Sequence, residues 1–238
     1  MMRAVRILLV LVVVLGALFV AADRIAVHFA ESEAADRAQQ TLGLTSPPGI
    51  DIKGFPFLTQ VLAEKLDDVE VTADGVQATG TGGQTLRVAR FQADLHGVSL
   101  GSGFSSAVAD TAEGTALVSY EDLAKAAPSG VTIGYGGASE NGKGRVKVGV
   151  EVSTPVGTVK RSVVSEVGVA GKGGIKLTAG KIPGLESLPP VVEDLIRERI
   201  DFTRALSGLP EGIELSSVTA TADGISVAAT GTKVVLAQ

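Results

Sequence analysis

Arg3 and Arg6 precede an apolar run of sixteen residues, Ile7–Ala22, that closes on Asp23-Arg24. This stretch constrains the chain more than any other, because a helix built from it has no polar face to turn toward water. A cationic start, an apolar block and small residues at its end form the pattern of a secretory signal. Val20-Ala21-Ala22 offers small side chains at the cleavage positions. As a helix the run measures about 24 Å at 1.5 Å per residue. A bilayer's hydrocarbon core is thicker, about 30 Å. The shortfall favours a cleaved signal, although snorkelling by Arg6 and Arg24 would let the run serve as a retained anchor. Either way the body is expected outside the cytoplasmic membrane, in the cell envelope or periplasmic space. Residues 1–22 are read as signal peptide or membrane anchor, and 23–238 as one domain.

The net charge is −5, and it becomes more negative once Arg3 and Arg6 are set aside. A nucleic-acid partner is excluded on that ground, since phosphate neutralisation needs a basic footprint. Polybasic attachment to an anionic membrane is excluded likewise. The chain has no Cys, which removes thiolate metal sites, a lipidated cysteine anchor and cysteine nucleophiles. Trp is absent and aromatics make up 4 % of residues, while Val, Ala, Thr and the 30 glycines are frequent. That balance points to many strands joined by tight turns.

Asp23–Leu44 predicts a helix with an apolar stripe at Val27, Ala30, Ala34, Ala38 and Leu42, stopped by Ser46-Pro47-Pro48-Gly49. A short strand over Ile50–Lys53 leads to Gly54-Phe55-Pro56-Phe57, and a short helix should follow with Leu58, Val61, Leu62 and Leu66 on one side. Val69–Thr72 and Val76–Thr79 read as a hairpin around Asp74-Gly75. The next strand carries Leu86, Val88, Phe91, Ala93 and Leu95, and its alternation breaks once, so a bulge or register change is expected near Ala89-Arg90. Thr111–Tyr120 is a strand, and Ser119 with Asp122 three residues on should cap a short helix. Four strands follow at Val131–Tyr135, Arg145–Ser153, Val156–Val169 and Ile175–Lys181. A second amphipathic helix is expected behind Pro183, Pro189 and Pro190, with Leu188, Val191, Val192, Leu195, Ile196, Ile200 and Leu206 on its apolar side. Two strands around Asp223-Gly224 close the chain. The segment Val71–Val76 echoes Ala220–Ile225, which suggests either two similar hairpins or two copies of a helix-then-hairpin unit.

Catalytic chemistry is hard to build from these residues. His28 and His96 are the only imidazoles, with no clustered partners in sequence. The glycine-rich stretches lack the Lys-Ser/Thr spacing of a phosphate loop. Gly101–Ser105 lacks the nucleophile-elbow pattern, and no His follows it. Asp67-Asp68, Glu121-Asp122 and Glu193-Asp194 read as solvated carboxylates beside helices. No metal, no cofactor and no enzymatic activity are expected.

Asp51–Leu62, with its Gly-Phe-Pro-Phe turn, and Val69–Val76 resemble the actinobacterial LmeA-like phospholipid-binding family. The likeness continues through Gly114-Thr115-Ala116, Leu188-Pro189-Pro190 and the last Asp-Gly hairpin. The resemblance implies an exported protein that binds, or shuttles, phospholipid and supports envelope lipid or lipoglycan assembly. It implies an α+β fold: a long, twisted, mostly antiparallel sheet wrapping amphipathic helices, as in tubular lipid-binding proteins. Phospholipid and a membrane surface would be its partners. In such a fold Phe55, Pro56, Phe57, Leu58 and Leu62 would stand at the mouth of an apolar hollow, with Phe91, Leu195, Ile196 and Phe202 lining it. Each acyl CH₂ taken up would contribute about 0.8 kcal/mol. The opposing expectation for Phe55 and Phe57 is that they staple the turn onto the core, as paired aromatics do in a domain poor in them. The aliphatic lining has the same alternative, a solid core. A membrane-tethered scaffold that binds a biosynthetic protein partner without a lipid cavity is the competing function, and an enzyme acting on a lipid-linked glycan is a third.

Overall fold

In the computed structural model the apolar run opens a longer helix. The structure describes residues 2–79, 85–101, 106–127, 130–138, 144–154, 157–171, 173–179, 202–205 and 211–237. Helix α1 spans Met2–Leu42 without a break, so the apolar run and the predicted helix at Asp23–Leu44 form one rod. Nothing between Gly16 and Gly43 breaks it, because Ala, Leu, Glu, Arg and Gln propagate a helix well. It stops at Gly43, which takes the left-handed φ of 63°, and the Leu44 amide bonds back to the Gln39 carbonyl at 3.0 Å. The helix is long and apolar enough near its N-terminus to cross a membrane, and that stretch is bare of protein contact. Val27 and Ala35 are buried against the body, and Ala30, Ala34 and Ala38 are half-buried.

The body is α+β with two antiparallel sheets. Strands β1 (Gly49–Lys53), β2 (Lys65–Thr79), β3 (Thr85–Leu100), β4 (Ala107–Ser119), β10 (Ile213–Ala220) and β11 (Gly224–Ala237) form the first, in the order β1-β2-β3-β4-β11-β10. Strands β5 (Val131–Ala138), β6 (Gly144–Thr154), β7 (Gly157–Ala170), β8 (Gly174–Ala179) and β9 (Phe202–Ala205) form the second, in sequence order. Helices α2 (Phe57–Leu62) and α3 (Tyr120–Ala126) sit between strands in the chain. The four strands predicted across 131–181 are all present, and Ser119 caps α3 by accepting the Asp122 amide at 3.1 Å.

Several local expectations are overturned. Asp74-Gly75 is not a turn: β2 runs straight through it, with Asp74 opposite Arg90 and Val76 opposite Val88. Asp223-Gly224 does turn the chain, with the Thr221 amide donating to the Gly224 carbonyl at 2.7 Å. Two nearly identical hexapeptides thus take different roles, and the paired helix-hairpin unit does not form. What decides is the neighbour. Beside Asp74 lies a full-length partner, β3, whose ladder rewards extension. The alternation break near Ala89-Arg90 is real, but no residue is inserted. Gly75 takes a φ of 67° opposite Ala89 and Gly97 a φ of 62° opposite Asp67, and at both places the apolar pairs change parity without a register shift. The helix after the Phe-Pro-Phe turn ends at Leu62, so Leu66 is a buried strand residue instead. The second amphipathic helix falls mostly outside the described residues. Its predicted end is overturned, because Phe202–Ala205 is the edge strand β9, with Phe202 opposite Leu177. Glu193-Asp194 also lies outside them. Asp122 is buried rather than solvated, accepting from the Ser119 hydroxyl at 2.7 Å and facing Arg87 at 3.4 Å.

Two cores result. One gathers Val27, Ile52, Phe57, Leu66, Val69, Leu95, Val98, Ala109, Ala112 and Val234 between the helices and the first sheet. The other gathers Val146, Val167, Leu177, Val218 and Ala220 where the second sheet meets the last hairpin. Strand β11 contributes Val234 to the first and packs Ile225 and Val227 against the second, so the β10–β11 hairpin couples the two. At their seam a side chain on Gly144 would place its Cβ 1.5 Å from the Ala220 carbonyl oxygen. Gly144→Ala is therefore expected to destabilise the body by about 1–3 kcal/mol through overpacking. Urea unfolding measures this, and an unchanged midpoint would show that the seam is open there.

Candidate membrane and lipid contact site

The end of the apolar run is where the rod joins the body. Asp23, the first charged residue after that run, has no solvent exposure. Its Oδ1 accepts the Leu58 amide at 2.8 Å, and its Oδ2 takes a guanidinium N–H of Arg24 at 2.6 Å. Leu58 lies in the first turn of α2, whose leading amides have no partner within the helix. The sequence supplies no cap there, since Pro56 stands at the N-cap and bonds nothing with its side chain. A carboxylate from 35 positions upstream in the chain does the capping. Two turns further along α1, Glu31 Oε1 accepts the Ile52 amide of β1 at 2.9 Å. These two bonds, with Val27 between them, clasp α1 to the β1–α2 segment. Burial raises the Asp23 pKa, but the Leu58 and Phe57 amides and the Arg24 guanidinium outweigh it and hold the carboxyl below its ordinary value.

The Gly-Phe-Pro-Phe turn is pinned from the other side by Gln60. This buried amide donates to the Lys53 carbonyl at 3.3 Å and accepts the Asp67 amide at 2.8 Å. Gly54, at φ 96°, leaves room for it, since a Cβ there would lie 2.6 Å from Gln60 Nε2.

The two phenylalanines part company. Phe57 is 5 % exposed and belongs to the first core, while Phe55 is 58 % exposed and lies under the Arg24 guanidinium at 5.2 Å. Phe57 staples the turn. Phe55 is presented to the outside beside the end of the apolar run. Pro56 and Leu58 are half-buried. Leu62 is 84 % exposed at the end of α2 and has no part in the core. Phe91 is half-buried in β3, opposite Ala73 and Ala116. It stands five residues along the strand from His96, about 17 Å, and the Phe-Pro-Phe turn lies toward the His96 end, since His96 pairs with Asp68 and Asp68 with Lys53. Leu195 and Ile196 lie outside the described residues, as does the side chain of Phe202. His96 is an exposed surface residue, and its hydrogen bond to Asp68 raises its pKa above the ordinary value.

Residues that sequence reasoning passed over complete the site. Ile25 and Phe29 are 72 % and 71 % exposed, on the face of α1 opposite Val27. With Arg24, His28 and Ser32 they form one exposed, largely apolar patch on the outer face of α1. Their off-stripe position, one turn apart, was the signal available in the sequence.

Phe57→Ala is expected to cost about 3–5 kcal/mol of stability, and Phe55→Ala less than about 1 kcal/mol, as read from denaturant midpoints. Equal losses would contradict the division of roles. Because the folded pKa of Asp23 lies below the unfolded value of 3.8, its contribution is whole above that value and fades as pH falls through the lower one. Asp23→Asn should lower the melting midpoint at neutral pH and narrow its gap to the parent chain in acid. Parallel pH profiles would show that the carboxylate charge contributes nothing.

A search of curated proteins and one of solved structures found no match to this chain. A family model described as LmeA-like phospholipid-binding matches residues 21–230, beginning two residues before Asp23 and running into β11. That match takes in the clasp, the Phe-Pro-Phe turn and both sheets: the chain belongs to the LmeA-like phospholipid-binding family, and phospholipid is its ligand class.

Proposed function

We propose that this protein is an exported phospholipid carrier at the outer face of the cytoplasmic membrane, supplying lipid to envelope lipid or lipoglycan assembly without catalysing a reaction. The family match is the observation that carries the reading. Two structural features support it. Helix α1 brings its bare apolar stretch directly onto the body, and Phe55 stands exposed at that junction. An aliphatic interior poor in rings suits flexible acyl chains, which bind through transferred methylenes and need few polar contacts.

The full chain, purified in mild detergent, should carry phospholipid that mass spectrometry detects after solvent extraction. It should also move a labelled phospholipid between vesicles. Phe55→Ala should slow that transfer while leaving the denaturant midpoint nearly unchanged. A preparation with no phospholipid above the detergent blank, and no transfer, would leave the protein-binding scaffold as the better reading.

A further inference from the structure

Resting on the reading that this protein works at a phospholipid membrane, we propose that α1 enters the bilayer obliquely, with its Ile25–Phe29 face embedded in the lipid and its opposite face held by the body. The two sides of the helix change from apolar to polar at different heights. On the side clasped by α2 and β1, the change comes at Asp23, fully buried in protein. On the far side, Ile25 and Phe29 remain apolar and exposed, with the exposed His28 beside them, its ring within snorkelling reach of the headgroups, and the face turns wholly polar at Ser32 and Asp36. Asp23 and Ser32 are nine positions apart, so the two boundaries are offset by about 13 Å along the axis.

Two large apolar side chains left exposed on this part of the helix are costly in water. They are useful in lipid. The run Ile7–Ala22 alone is about 6 Å short of a hydrocarbon core. Counting the outer face as far as Phe29 removes that shortfall, and a tilt toward that face is how a helix with one longer apolar side meets a bilayer. Arg24 sits at the border with 49 % of its side chain exposed. Its donors not taken by Asp23 are placed for lipid phosphate, and Phe55 lies beneath it. The strip Ile25–Phe29 follows Ala22 in sequence, so it stays with the body whether or not the preceding run is removed.

The absence of cysteine allows a direct test. Ile25→Cys, Phe29→Cys and Asp36→Cys, each exposed on the same face, are labelled singly with a polarity-sensitive fluorophore. The labelled full chain is reconstituted in phosphatidylcholine–phosphatidylglycerol vesicles. Labels at 25 and 29 should be quenched by a lipid-borne nitroxide and show a several-fold smaller iodide quenching constant than the label at 36. Iodide access equal at all three positions overturns the proposal. So does shielding at 25 and 29 without nitroxide quenching, which would mean cover by protein. Nitroxide quenching at all three would mean a helix lying flat on the surface, and overturns the oblique entry. Phospholipid extracted from the detergent-purified chain before reconstitution reports separately on ligand binding: lipid present with wet labels rejects this surface alone, and shielded labels without bound lipid reject the carrier function alone.

Discussion

A carboxylate sealed from water holds the whole arrangement together. Asp23 caps α2 from a distant part of the chain, and by doing so it sets where the bare apolar stretch of α1 ends and its contact with the folded body begins. A buried charge is tolerated only when its hydrogen bonds are met, and here an amide and a guanidinium meet them. Glu31 repeats the device on β1. Two such bonds on one face define the rotation of α1 about its own axis as well as its height. The faces that Ile25, Phe29 and Arg24 present follow from that rotation.

The body beneath reflects a composition with few rings. Val, Ala and Leu pack close to the backbone, and the hydrophobic interior divides into two modest cores bridged by the β10–β11 hairpin. The Tyr120 hydroxyl donates to the Thr221 carbonyl at 2.7 Å, tying α3 to the turn of that hairpin. Such cores are sensitive at their seams, where glycine permits backbones to approach.

Family membership and geometry converge on lipid from different directions. The family supplies the ligand class. The geometry supplies an apolar rod, an exposed Phe55 and a cation above it, all at one end of the body. Phe57, two positions from Phe55, anchors the turn that presents it.

Periodicity by itself determined the Asp23–Leu44 part of the long helix, the alternation of most strands and the capped start of α3, because each depends on side chains close in sequence and on which face they share. The Gly-Phe-Pro-Phe segment was legible as a distinctive turn for the same reason. The tertiary structure alone decided which Asp-Gly pair bends, since Asp74-Gly75 and Asp223-Gly224 are locally alike and differ only in the strands beside them. It alone separated Phe55 from Phe57, turned Phe202 into a strand residue against β8, and gave Asp23 its role. In each case the deciding contact comes from a residue far along the chain, and local pattern carries no information about a partner that only folding brings near.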